Sequence, residues 1–331
     1  MRKGITPNFI TQRRGDAENA KKEGRRIETT EGRKLLASLS APLRLCVSYL
    51  PVIFIFCVLI AGCSSAPKKA TEIFTDRNSA INQLNLANQT ANHGRYEDAL
   101  FILEGARRLA VSADDPSLRV RTAISRGNFL FALGRRGEAF GEWEAAAAEA
   151  DSSSEKALAA LARICIIRGK IVQLADEAGG TDAAVEELKA QLNQEMTVVR
   201  SDPFSTAAGN ITLGLAEKQM GRWAEAESAV RRALVFHERE LILEEAAYDW
   251  FVIGSIRSMA GNYDSALEAL RSAIRFDRRA ENGFGLASSW QATGDVLKKA
   301  GRDEESLTAW LRAAEIYRAI GMDDLAEKLE Y

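Results

Sequence analysis

The pattern that predicts the fold is clearest in residues 252–273, VIGSIRSMAGNYDSALEALRSA. Apolar residues recur there every three or four positions on both sides of Gly261, which is the spacing of helices that bury one face. Small residues hold fixed places around that glycine: Gly254 precedes it, and Ala266 and Ala273 follow it. The pattern predicts two antiparallel helices that approach closely, with Gly261 ending the first one at a positive φ.

The same arrangement recurs along the chain. Six glycines lie between two helical patterns, 40 to 45 residues apart: Gly94, Gly134, Gly179, Gly221, Gly261 and Gly301. The unit around Gly179 is degenerate, and no segment alternates like a strand. Because each pair has an apolar face that only its neighbours can cover, we expect bulky residues to fill the space between successive pairs. The predicted fold is all-α, an α-α superhelix of about six helix pairs, with residues 322–331 as a capping helix.

This order of small and large residues resembles the tetratricopeptide repeat over about residues 75–320. Trp250 and Trp290, each four positions before a first-helix glycine, stand where that family has a tryptophan. The family's period is about 34 residues. The longer period here implies longer helices, as in kinesin-light-chain-like variants. The resemblance also implies that the first helix of each pair lines a concave surface on which protein partners lie.

An uncharged stretch precedes the repeats. Residues 47–62, VSYLPVIFIFCVLIAG, follow Arg44 and precede CSSAPKK. A membrane span needs about 20 apolar residues, so the stretch fits the hydrophobic region of a signal peptide better than an uncleaved anchor. Residues 60–63, IAGC, resemble the lipobox of bacterial lipoproteins. The resemblance implies that Cys63 is lipidated and becomes the first residue of the mature chain.

These features divide the chain into four parts. We expect residues 1–46 to be either a leader upstream of the true start or a disordered extension, residues 47–63 the signal region with its lipobox, residues 64–74 a linker, and residues 75–331 the repeat domain. Two or more acyl chains hold a protein stably on a membrane. Ser64 follows the cysteine, and the sorting rule of enteric bacteria then implies the periplasmic face of the outer membrane.

The charge distribution argues against nucleic-acid binding, and the position of Cys165 argues for a buried side chain. Residues 1–44 carry a net charge of +6, and the rest of the chain carries −8. Nucleic-acid binding depends on clustered Lys and Arg, so we predict no nucleic-acid partner. Cys165 lies in an apolar run, LARICII, where a small buried side chain is expected.

The sequence has no recognisable catalytic or metal-binding motif. His237 begins HEREL, but a zinc-protease helix needs a second imidazole where Leu241 stands. The other histidine, His93, lies beside an inter-helix glycine, and acidic pairs such as Glu186 and Glu187 are typical of solvated helix faces. We therefore expect no metal, no cofactor and no enzymatic activity, with an unrecognised enzyme as the weakest alternative.

The tetratricopeptide resemblance places a set of first-helix residues on the concave surface, where we expect them to face solvent and to contact a protein of the cell envelope. They are Asn88, Asn92, Arg121, Ile124, Asn128, Lys218, Tyr248, Phe251, Ser255, Gln291, Asp295 and Lys298. The function implied is that of a membrane-anchored interaction scaffold. The alternative is a partner of a periplasmic solute-binding or transport system, with a hydrophobic ligand pore through the array.

Overall fold

The computed structural model describes residues 75–176 and 181–329, so the predictions about Cys63 and everything before residue 75 lie outside the described residues. Within those ranges the chain forms helices and no strands, which confirms the predicted all-α class. The helices are α1 (Thr75–Asn92), α2 (Tyr96–Ser112), α3 (Pro116–Ala132), α4 (Arg136–Ser152), α5 (Lys156–Asp176), α6 (Asp182–Val198), α7 (Pro203–Gln219), α8 (Trp223–Arg239), α9 (Leu243–Met259), α10 (Tyr263–Ala280), α11 (Gly283–Lys299), α12 (Asp303–Ala319) and α13 (Asp323–Glu327), with a 3₁₀ turn at Val199–Ser201.

The helices form six consecutive pairs, α1 with α2 through α11 with α12, in an all-α superhelical solenoid. Each paired helix has between 17 and 21 residues, so the long repeat period does correspond to long helices. The predicted capping helix is present but short: α13 has 5 residues. Leu329, which follows it, is buried against the last pair.

The glycines between paired helices have the expected backbone conformation. Gly261 has a φ of +80°, and the N–H groups of Gly261 and Asn262 donate to the carbonyls of Ser258 (3.1 Å) and Arg257 (2.9 Å). This is the Schellman end of a helix, which requires a left-handed residue. Positive φ angles also occur at Gly94, Gly134, Gly221 and Gly301. Gly179 lies outside the described residues.

Inside each regular pair, a first-helix glycine faces a large residue of the second helix. A Cβ atom on Gly254 would lie 2.9 Å from Leu270 Cγ. The same contact joins Gly127 to Trp143, Gly214 to Val230, and Gly294 to Trp310. Two of these bulky residues also reach the next pair, as expected: a Cβ atom on Gly169 would lie 2.9 Å from Trp143 Cζ3, and Leu270 shares a hydrophobic cluster with Val296 and Leu297. In addition, all four fill the space that the missing glycine side chain leaves within their own pair.

The contacts between pairs give the array its curvature. Three contacts join first helices of successive pairs: α3 contacts α5, α5 contacts α7, and α9 contacts α11. No comparable contact joins two second helices in the described part of the chain. At these three steps the first helices are therefore closer together than the second helices. They lie on the inner, concave side of the superhelix.

The first pair also meets the last one. The Tyr96 and Phe284 rings pack edge to face with centroids 5.9 Å apart, and both side chains are buried. A Cβ atom on Gly94 would lie 2.9 Å from Met322 Cε. The sequence did not predict this contact, which closes the array on itself.

Candidate functional site

The candidate site lies on the inner face of α9, between α7 and α11. Ser255 and Ser258 are one helical turn apart on α9 and therefore point to the same side. The Lys218 ammonium of α7 donates to Ser255 Oγ at 3.2 Å, and the Lys299 ammonium of α11 donates to Ser258 Oγ at 3.4 Å. Two positive charges thus flank two hydroxyl groups on one surface.

Neither of these lysines is paired with a carboxylate in the part of the chain that the structure describes. Burial, followed by the nearby charge of Lys299, lowers the pKa of Lys218. Lys299 and the adjacent Lys298 of α11 are both exposed. Lys298 differs from Lys299 in its partner, because its ammonium lies 3.0 Å from Asp303 Oδ1. Lys298 therefore points away from the two hydroxyl groups.

Further along the inner face, polar side chains are packed into the protein. Arg168 Nη2 donates to Asn128 Oδ1 at 3.0 Å, and the two residues are only 6% and 4% exposed. Tyr248 is 6% exposed, stacks on Phe251, and has a raised pKa because it is buried. The expectation that Ile124, Asn128 and Tyr248 face solvent is wrong, because all three side chains are buried.

The remaining predicted residues are dispersed. Asn88 is half-buried, and its buried Oδ1 has no hydrogen-bond partner within residues 75–176 and 181–329. Asp295 accepts a hydrogen bond from Trp310 Nε1 at 3.0 Å, and Gln291 accepts one from the Tyr317 hydroxyl at 3.2 Å. Of the predicted set, the structure brings together Lys218 with Ser255, and Tyr248 with Phe251.

Lys299 is the residue that sequence reasoning missed. Lys298 and Lys299 both lie in the last turn of α11, where a cation favours the helix dipole. To choose Lys299 over Lys298 from the sequence, one would have to align α11 with the preceding first helix, and thus with Ser258, to within one residue.

Further buried ionisable groups lie between successive pairs. His237 Nδ1 on α8 and Asp249 Oδ2 on α9 are 2.7 Å apart, and the two side chains are 2% and 0% exposed. Burial by itself would lower the pKa of His237, but the hydrogen bond and charge of Asp249 outweigh it and raise the pKa.

The next junction has a carboxyl group in place of the histidine. Asp277 on α10 accepts hydrogen bonds from Asn282 Nδ2 at 2.9 Å and from Ser289 Oγ at 3.1 Å. Burial raises the pKa of Asp277 to about 8. Both junction groups are enclosed, so they serve packing and give no access to a substrate.

Other features bear on the expected chemistry. Cys165 is buried, as predicted, and burial raises the pKa of its thiol. Among the described residues no three histidines, cysteines or carboxylates converge as metal ligands would. None of the helices in that part of the chain combines the length and apolarity of a membrane span.

Comparisons with known proteins identify no family. No protein-family model and no curated protein matches the chain. Among solved structures it is similar to the crystal structure of BtubC (BKLC) from P. vanneervenii, with 16% identity, a TM-score of 0.47, and coverage of 73% of this chain and 92% of that one. A likeness at this level says nothing of what the chain binds.

Proposed function

We propose that this protein is a bacterial lipoprotein, attached to the cell envelope through Cys63, whose tetratricopeptide-like repeats bind another envelope protein on their inner surface. The observation that carries the proposal is the curvature of the array. First helices line the inner side, where Phe251, Ser255 and Lys218 are only partly buried. A surface of aromatic and donor side chains on a rigid helical frame is suited to holding an extended segment of a partner.

Two phenylalanines offer a matched test of the binding surface. Phe251 lies on a first helix and is half-buried, whereas Phe101 lies on α2, a second helix, and is 82% exposed. A photoreactive phenylalanine analogue at each position, irradiated in intact cells, should give a protein adduct at position 251 and none of the same mass at position 101. The adduct at position 251 would identify the partner by mass spectrometry. An adduct formed only at position 101 would place binding on the outer surface.

The lipid anchor has its own test. Cys63→Ser should leave an unprocessed precursor that takes up no labelled palmitate, because a hydroxyl cannot form the thioether. Cys57→Ser, within the same apolar stretch, is the control and should be processed and labelled like the wild type. Unchanged size and labelling of the Cys63→Ser variant would exclude Cys63 as the anchor.

A further inference from the structure

We propose that Lys218, Ser255, Ser258 and Lys299 form a binding site for an oxyanion, the phosphoryl or carboxylate group of a ligand. Three successive first helices, α7, α9 and α11, supply the four side chains. Each ammonium donates to one serine oxygen. The site is therefore already assembled in the free protein.

The site has hydrogen-bond donors in excess. An ammonium group has three N–H donors, and Lys218 and Lys299 each use one of them on a serine. The two serine oxygens accept those bonds, and neither hydroxyl donates to another group in the described part of the chain. Several donors therefore converge with no protein acceptor, and an oxyanion provides the missing acceptors.

The charges of Lys218 and Lys299 also favour an oxyanion ligand. The chain beyond residue 44 is net negative, yet neither ammonium forms an ion pair in the part of the chain that the structure describes, and the charge of Lys299 acts on Lys218. Lys218 is half-buried, and an unpaired ammonium in such a position lowers stability, a loss that a bound anion offsets.

Isothermal titration calorimetry of the full chain in detergent, with the chloride concentration held equal in all samples, tests whether the site binds an anion. Inorganic phosphate and, separately, acetate are titrated calorimetrically at constant ionic strength. We expect saturable binding that Lys218→Met and Lys299→Met each weaken by about tenfold or more, because each removes a charge-assisted hydrogen bond. Lys298→Met is the matched control and should bind like the wild type.

The two probes distinguish the ligand class. Binding of phosphate alone indicates a phosphoryl group, and comparable binding of acetate indicates a carboxylate. The proposal is overturned if neither probe binds saturably, or if Lys298→Met loses as much affinity as Lys299→Met. Since partner capture does not enter this assay, its failure leaves the scaffold function standing, and failure of the crosslinking test leaves the anion site standing.

A spectroscopic measurement separates a ligand role from a structural one. With ¹³C-labelled lysine side chains, the pKa of Lys218 should rise toward its ordinary value when phosphate is added, and the resonances of Lys298 should not move. Without phosphate, Lys218→Met should unfold at a temperature at least as high as the wild type. A lower unfolding temperature together with an unchanged Lys218 resonance would make the lysine purely structural and refute the site.

Discussion

Packing inside the helix pairs and packing between them follow different rules in this protein. Inside four pairs the contact is the same, a first-helix glycine against a large second-helix residue, as in Gly254 against Leu270. Between pairs, equivalent positions hold different chemistry. His237 meets Asp249 at one junction, and Asp277 meets Ser289 forty residues later.

An earlier junction has no polar group at these positions. Ala150 and Ala162, which have the same separation as His237 and Asp249, are fully buried in one hydrophobic cluster. The contrast shows that the pair is the repeated unit of the fold. The junction only has to fill space and satisfy its own polar groups, so it varies from one repeat to the next.

The largest effect is expected at the His237 junction. Asp249→Ala removes the partner of a buried imidazole, and breaking such a pair costs about 3–5 kcal/mol. Urea denaturation of the full chain, followed by circular dichroism, measures the loss. Asp249→Asn keeps a hydrogen-bonding group and should lose clearly less. Equal stability of Asp249→Ala and the wild type would show that the junction does not depend on this contact.

Inside a pair, Gly254→Leu should cost about 1–3 kcal/mol, because the added side chain must displace Leu270. The decrease in unfolding temperature relative to the wild type measures this loss of stability. Gly137→Leu is the control, since a Cβ atom at Gly137 meets nothing within 4 Å. If both variants unfold alike, close approach at Gly254 does not hold the pair together.

The junctions should make stability depend on pH. The Asp277 carboxyl ionises near 3.8 when unfolded but only at about 8 when folded, so stability falls as pH rises across that interval. The raised pKa of His237 acts in the same direction: its contribution is complete below about 6.5 and is lost as pH rises through the folded value.

Urea midpoints between pH 6 and pH 9 check this pH dependence, since both junctions contribute there. They should decrease for the wild type and decrease less for Asp277→Asn, which cannot ionise. A wild-type midpoint that rises with pH would contradict the assigned direction.

The smallest effect concerns a glycine outside both kinds of contact. Gly141 lies within α4 with nothing near its missing Cβ atom. Gly141→Ala should therefore stabilise the protein by about 0.5–1 kcal/mol, because alanine loses less backbone entropy in a helix. Differential scanning calorimetry can measure the gain. A decrease in unfolding temperature would mean that Gly141 has a packing role that the free space around it does not indicate.

The amino-acid sequence by itself determined the pairs. Helix periodicity, turn glycines such as Gly261, and small residues such as Gly254 act over short distances along the chain, so their spacing is visible without coordinates. The same spacing predicted which helices are first in each pair, and the tetratricopeptide resemblance placed Lys218 and Ser255, which the structure brings together, in one predicted set.

The stacking of the pairs, by contrast, determines how the curvature affects those residues. It buried Asn128 and Tyr248, turned Lys299 rather than Lys298 toward α9, joined Asp277 to Ser289, and brought Tyr96 against Phe284. The last contact depends on a small rotation summed over all six pairs, and burial on the inner face depends on the distance between first helices. Neither quantity is specified by any one repeat, because each is a property of how the pairs stack.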